Sequence, residues 1–142
     1  MSRSHVRVKN AILCEEVRPE LGGKNILLGV FSGNINVAEI PATIRLAMYF
    51  ELESDGPGQF TAKMRMRYAD KEPVMGEIGV MIPETTAAAA TPMFNLRAEH
   101  EGDFIVEISF GDDRWQEVIR KHIAVGDVSS ALGGIASPGH AE

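Results

Sequence analysis

Three groups of side chains have the types that carry chemistry. The first is histidine with carboxylate. His100 and His122 fall on or beside late strands, with Glu99, Glu101 and Asp103 close by in sequence. Two imidazoles and a carboxylate are a divalent-metal ligand set when strands bring them together. Nothing in their spacing requires this, so ordinary surface histidines are the expectation. His5 and His140 lie near the chain ends, poor places for a rigid site. The second group is the paired acids, Glu15–Glu16 and Asp112–Asp113. Paired carboxylates can act as acid and base or hold calcium. Neighbours on a strand point to opposite faces, however. Asp112–Asp113 follows Gly111 in a turn, where aspartate is favoured for its local hydrogen bonds.

The third group is the basic row Lys63, Arg65 and Arg67, with Tyr49 and Arg45 expected alongside. Such a row could engage a phosphate, a carboxylate or an acidic protein surface. Arg45, Tyr49, Lys63, Arg65 and Arg67 are therefore the candidate interaction face. Cys14, the single cysteine, lies in an apolar run with no adjacent basic group and reads as a small buried hydrophobe. The chain carries no phosphate-cradling loop, dinucleotide fingerprint, zinc helix or nucleophile elbow. No catalytic residue, metal ligand or cofactor is assigned.

The elements that must position these groups alternate with period two. Phe60, Ala62, Met64, Met66 and Tyr68 share one face of a strand whose other face is Thr61, Lys63, Arg65 and Arg67. Upstream, Ile44, Leu46, Met48, Phe50 and Leu52 form a similar apolar face, and the turn-rich segment 53–59 joins the two, so the pair reads as an antiparallel hairpin. The preferred register sets Glu51 opposite Lys63 and Tyr49 opposite Arg65, rather than Arg45 opposite Arg67. Further strands are expected over 6–17, 25–37, 74–82, from 94, 104–110 and 115–125. In the last of these Trp115, Ile119 and Ile123 read as the inward set, and its imperfect alternation suggests a bulge or an edge position. Met75 and Met81 oppose Val74, Ile78, Val80 and Ile82, so that strand is either covered on both sides or offers an apolar contact patch. Segment 83–92, with proline at each end, reads as a loop with at most one helical turn. About eight short strands with turn signals between them predict an all-β antiparallel sandwich, with a closed barrel as the alternative.

With 142 residues the chain suits one domain, placed at 1–125, followed by a Gly/Ser/Ala-rich tail or arm at 126–142. At 44% hydrophobic and 24% charged it has the composition of a globular protein. No apolar stretch is long enough to span a membrane, and the first residues lack a signal-peptide core, so a cytoplasmic protein is expected. Residues 1–82 carry no net charge, and residues 83–142 carry the whole −6. That sign disfavours nucleic acid and membrane as partners. It also suggests that the basic row of one copy meets the acidic last third of another, giving a salt-sensitive homo-oligomer.

The segments Ala11–Arg18 and Gly23–Gly33 carry a pattern, A-x-x-C-(D/E)-(D/E)-x-R, then a Gly-Lys turn, then L-x-G-V-(F/Y). This resembles an uncharacterised, domain-of-unknown-function family of small bacterial and phage-associated proteins. The resemblance extends over most of residues 6–125, with Glu101–Phe110 similar to the penultimate strand of many sandwich domains. It implies a β-sandwich and no known activity, and brings no catalytic residues across.

A non-enzymatic structural or protein-interaction module that associates with itself is the expected function. The alternatives are a small-molecule, carbohydrate or calcium-binding module using the loops 53–59, 83–92 and 111–114, and an enzyme with an unrecognised site.

Overall fold

The computed structural model describes residues 5–111 and 114–126. Among them are eleven strands and no helix. In chain order these are β1 (Val6–Cys14), β2 (Glu16–Pro19), β3 (Asn25–Leu28), β4 (Ile35–Val37), β5 (Ala42–Ser54), β6 (Gly58–Tyr68), β7 (Val74–Ile82), β8 (Thr86–Ala90), β9 (Phe94–Ala98), β10 (Gly102–Ser109) and β11 (Gln116–Val125). The expected strand over 6–17 is thus two, broken at Glu15, and 25–37 divides into β3 and β4. Gly29 makes the second break, with φ at +67°. A side chain there would also run into the side chain of Glu15. Segment 83–92 is neither loop nor helical turn at its centre, because Thr86–Ala90 extends as β8.

The strands form a sandwich-like arrangement. One sheet is built on β5, with β1 along one edge and β8 and β9 end to end along the other. Tyr49 faces Ala90 whereas Leu46 faces Phe94, so Pro92 and Met93 together stand opposite Ala47. That bulge is where a proline costs least, since it has no N–H to give. The second sheet has the order β4-β11-β10-β6-β7, antiparallel except for the short β4–β11 pair. β2 and β3 form a separate hairpin. The bulge expected in the last strand lies at Val118, because Val106 faces Ile119 while Glu107 faces Glu117.

The hairpin expected between β5 and β6 does not exist, and its register falls with it. β5 pairs with β1, β8 and β9, and β6 with β7 and β10. The chain instead arches from one sheet to the other through Asp55–Pro57. Ser54 supports the arch: it is buried, its Oγ donates to the Gly56 carbonyl at 2.6 Å, and its N–H donates to Thr85. Alternation reports which face of a strand is apolar, and the two apolar faces meet whether strands pair edge to edge or stack face to face. Here they stack. Leu46, Met48, Phe50 and Leu52 from β5 meet Ala62 and Met64 from β6 and Phe104, Val106 and Ile108 from β10 in one core. Phe50 and Phe104 are each 1% exposed.

Candidate interaction surface

Because β5 and β6 belong to opposite sheets, the candidate face is divided. Lys63, Arg65 and Arg67 stand on the outer face of β6, whereas Arg45 and Tyr49 stand on the outer face of β5, across the core. Arg45 Nη1 reaches Met93 Sδ at 4.0 Å, and its charge helps lower the Glu16 carboxyl, which is held down first by its hydrogen bond from Arg18. Tyr49 is half-buried, between Ile12 and Ala90.

The two arginines of the basic row are engaged. Register sets Arg65 opposite Glu107 on β10. Arg65 Nε donates to Glu107 Oε1 at 2.9 Å and Arg67 Nε donates to the same oxygen at 3.1 Å. The Glu107 side chain is only 12% exposed, which makes it the desolvated centre of the group. The Arg65 guanidinium also lies 4.2 Å over the Trp115 ring, a cation–π contact. Trp115 therefore serves the outer face and does not join Ile119 and Ile123 inside. Lys63 stands opposite Glu77 of β7.

The same face continues into a second cluster on β10 and β11. Arg120 grips Glu117 with two donors, at 3.0 and 2.8 Å, and reaches Asp103 Oδ2 at 2.9 Å. His122 Nδ1 lies 2.8 Å from the other Asp103 oxygen. The Asp103 carboxyl is held below its ordinary range, first by the hydrogen bond to His122 and then by Arg120. Glu117 is lowered by its Arg120 hydrogen bond, and Arg120 is raised by the same partner. The row that reads as basic in sequence is thus part of an interlaced sheet of both signs. Finding it from sequence needed the strand order, because Asp103, Glu107 and Glu117 lie far from Lys63–Arg67 along the chain.

The histidine and acid candidates separate. His100 stacks on Tyr68 with ring centres 5.5 Å apart, and its Nε2 is 3.7 Å from Asp70. The Tyr68 hydroxyl hydrogen-bonds the His100 carbonyl, pinning the β9–β10 turn to the end of β6. Among the described residues no three His, Cys, Asp or Glu side chains converge as a metal site. Asp112, Asp113, His140 and the tail 127–142 lie outside the described residues. Cys14 is fully buried, as expected, and its thiol reaches the Ala47 and Glu16 carbonyls. Burial pushes that thiol above its ordinary range.

Two apolar features remain. A cleft of about 300 Å³ opens between the sheets, lined by Met66, Tyr68, Val74, Phe94, Leu96 and Phe104. Beside it runs β7, the edge of the five-stranded sheet. Val74 is 58% exposed, Met75 56% and Met81 58%. Of the two expectations for this strand, coverage on both sides fails among the described residues, since these side chains stand exposed. Among the described residues nothing pairs with the outer edge of β7, and its nine residues carry one charge, Glu77, and no proline or lysine, the devices that usually block edge pairing.

Fold and surface together define a sandwich-like β domain whose outer sheet face carries ion pairs of both signs and whose β7 edge is apolar and unpaired among the described residues. The chain belongs to DUF6941, a family of unknown function, whose sequence model matches residues 9–120. No curated protein matches it. Solved structures with partial likeness include the β-glucosidase from Listeria innocua in complex with glucose, at 9% identity and a TM-score of 0.43, covering 86% of this chain and 16% of that one. The gluconolactone complex of that enzyme aligns at 9% identity and a TM-score of 0.42, with the same coverage. The chain thus spans about a sixth of the length of those enzymes. No helix among the described residues is long and apolar enough to cross a membrane.

Proposed function

We propose that this protein is a non-enzymatic interaction module that binds protein, its own kind included, by strand addition at β7. One observation carries this: Val74, Met75 and Met81 stand exposed on an edge strand paired only with β6 among the described strands. Strand addition supplies backbone hydrogen bonds for affinity and alternate side chains for specificity. A protein partner fits better than nucleic acid, because the net charge is −6 and Glu107 already engages Arg65 and Arg67. A bacterial, cytoplasmic setting belongs to the same proposal, and the single buried thiol of Cys14 suits reducing conditions.

The test is amide hydrogen exchange on the whole protein with a synthetic peptide of residues 74–82 bearing terminal lysines for solubility. Protection gained along β7, and not on β1 or β4, is the expected result. Exchange on β7 that is fast without peptide and stays fast at saturating peptide would end this reading. The cleft beside Val74 favours a second reading, a site for a small apolar ligand. A thermal-shift screen with small aromatic and aliphatic compounds tests it, and a Phe94→Asp variant should lose any shift found.

A further inference from the structure

The identity of what pairs with β7 can be read from the strand itself, taking as given that the edge adds a strand. Gly76 and Gly79 are the starting point. A Cβ placed on either would meet nothing within 4 Å, and neither has a positive φ. The fold of the single chain therefore asks for glycine at neither position, although glycine weakens a strand. Glycine without a conformational reason inside a strand marks a place where another backbone comes close.

We infer that a second copy of this chain pairs antiparallel with β7 about a two-fold axis, Ile78 facing its own counterpart, so that two five-stranded sheets become one. In this register all nine residues of β7 find a partner. On the outer face Met75 meets Met81 of the second copy, and Glu77 meets Gly79. On the inner face Val74 meets Ile82, and Gly76 meets Val80. Each glycine thus receives a larger side chain, and the exposed methionines cover one another. Charge agrees: across the junction the outer row reads Lys63, Glu77, then Gly79 and Thr61 of the second copy, with no like charges opposed. A register that set Glu77 against its own counterpart would oppose two carboxylates. A slip by one residue would turn each apolar face to the wrong side. The neighbouring edge strand β8 leaves room, because it carries nothing larger than threonine.

The register makes the test specific. Cysteines at opposed positions of an antiparallel pair are within disulfide reach, whereas positions 75 and 81 of one chain are about 20 Å apart along the strand. Under mild oxidation the Met75→Cys/Met81→Cys double variant should form a covalent dimer, and a mixture of the two single variants should do so as well. Each single variant alone should stay uncross-linked, with Cys14 buried in all of them. Sedimentation of the wild type should give twice the 15.5 kDa chain mass. Met75→Lys/Met81→Lys should give the monomer with unchanged circular dichroism. Cross-linking of a single variant as readily as the pair would overturn the inference. So would a wild type that stays monomeric at hundreds of micromolar. If that monomer still gains peptide protection on β7, strand addition stands and only self-pairing falls. If it gains none, both fall.

Discussion

Glu107 shows how a single residue sets the character of a face. Its carboxylate accepts from Arg65 and Arg67 at one oxygen and is largely withdrawn from water. Isolated exposed ion pairs contribute little, but a desolvated acceptor shared by two guanidinium groups leaves both uncompensated when it is removed. Glu107→Gln should therefore cost about 1–2 kcal/mol, read as a lower urea midpoint with an unchanged slope. It should also expose a basic patch, so the variant should gain salt-dependent retention on a polyanion column. A neutral outcome on both counts would mean that the two arginines are solvated independently.

Among the elements, β7 is where stability and association are expected to pull apart. Thr61 faces Gly79 on the outer surface, and threonine is a good strand former. Gly79→Thr should stabilise the isolated domain by some tenths to about 1 kcal/mol while weakening a dimer that needs space opposite Glu77. Melting below the dimer concentration range should rise, and sedimentation should shift toward monomer. A melting temperature and an association constant that moved together would separate glycine from the interface. Apolar faces were legible in the alternation. The apolar faces of Ile44–Leu52 and Phe60–Tyr68 are inward as expected, with Phe60 and Met66 only partly covered, and Cys14 is buried. Strand partners were not legible, because turn residues such as Asp55-Gly56-Pro57 serve an arch between sheets as well as a hairpin. One wrong pairing was enough to place Arg45 and Tyr49 alongside the row of Lys63, Arg65 and Arg67. It also hid the acids of β10 and β11 that neutralise the row. The methionines of β7 were visible as a choice between coverage and contact, and only the sheet order decides it.

For the molecule as a whole, the carboxylates of Asp103, Glu117, Glu99 and Glu16 are all lowered by basic partners. A carboxylate lowered in the folded state favours folding above its ordinary value, and that contribution is lost as pH falls through the lowered one. The urea midpoint should therefore be insensitive to these groups from pH 7 to about 5 and fall below about pH 4. Asp103→Asn should flatten that fall, and an acid limb identical to wild type would show that the cluster is indifferent to folding. Association is expected to respond to salt less than charge segregation implies, since the proposed junction joins methionines and aliphatic side chains. The arch between β5 and β6 also bears on the order in which the chain is made. Translation delivers β6 and β7 as a neighbouring pair, but β10, which covers the other side of β6, follows only at residues 102–109. At ordinary elongation rates of 5–20 residues per second, the nascent hairpin spends seconds with both flanks bare. In that interval co-translational crowding on a polysome favours premature pairing between neighbouring nascent chains.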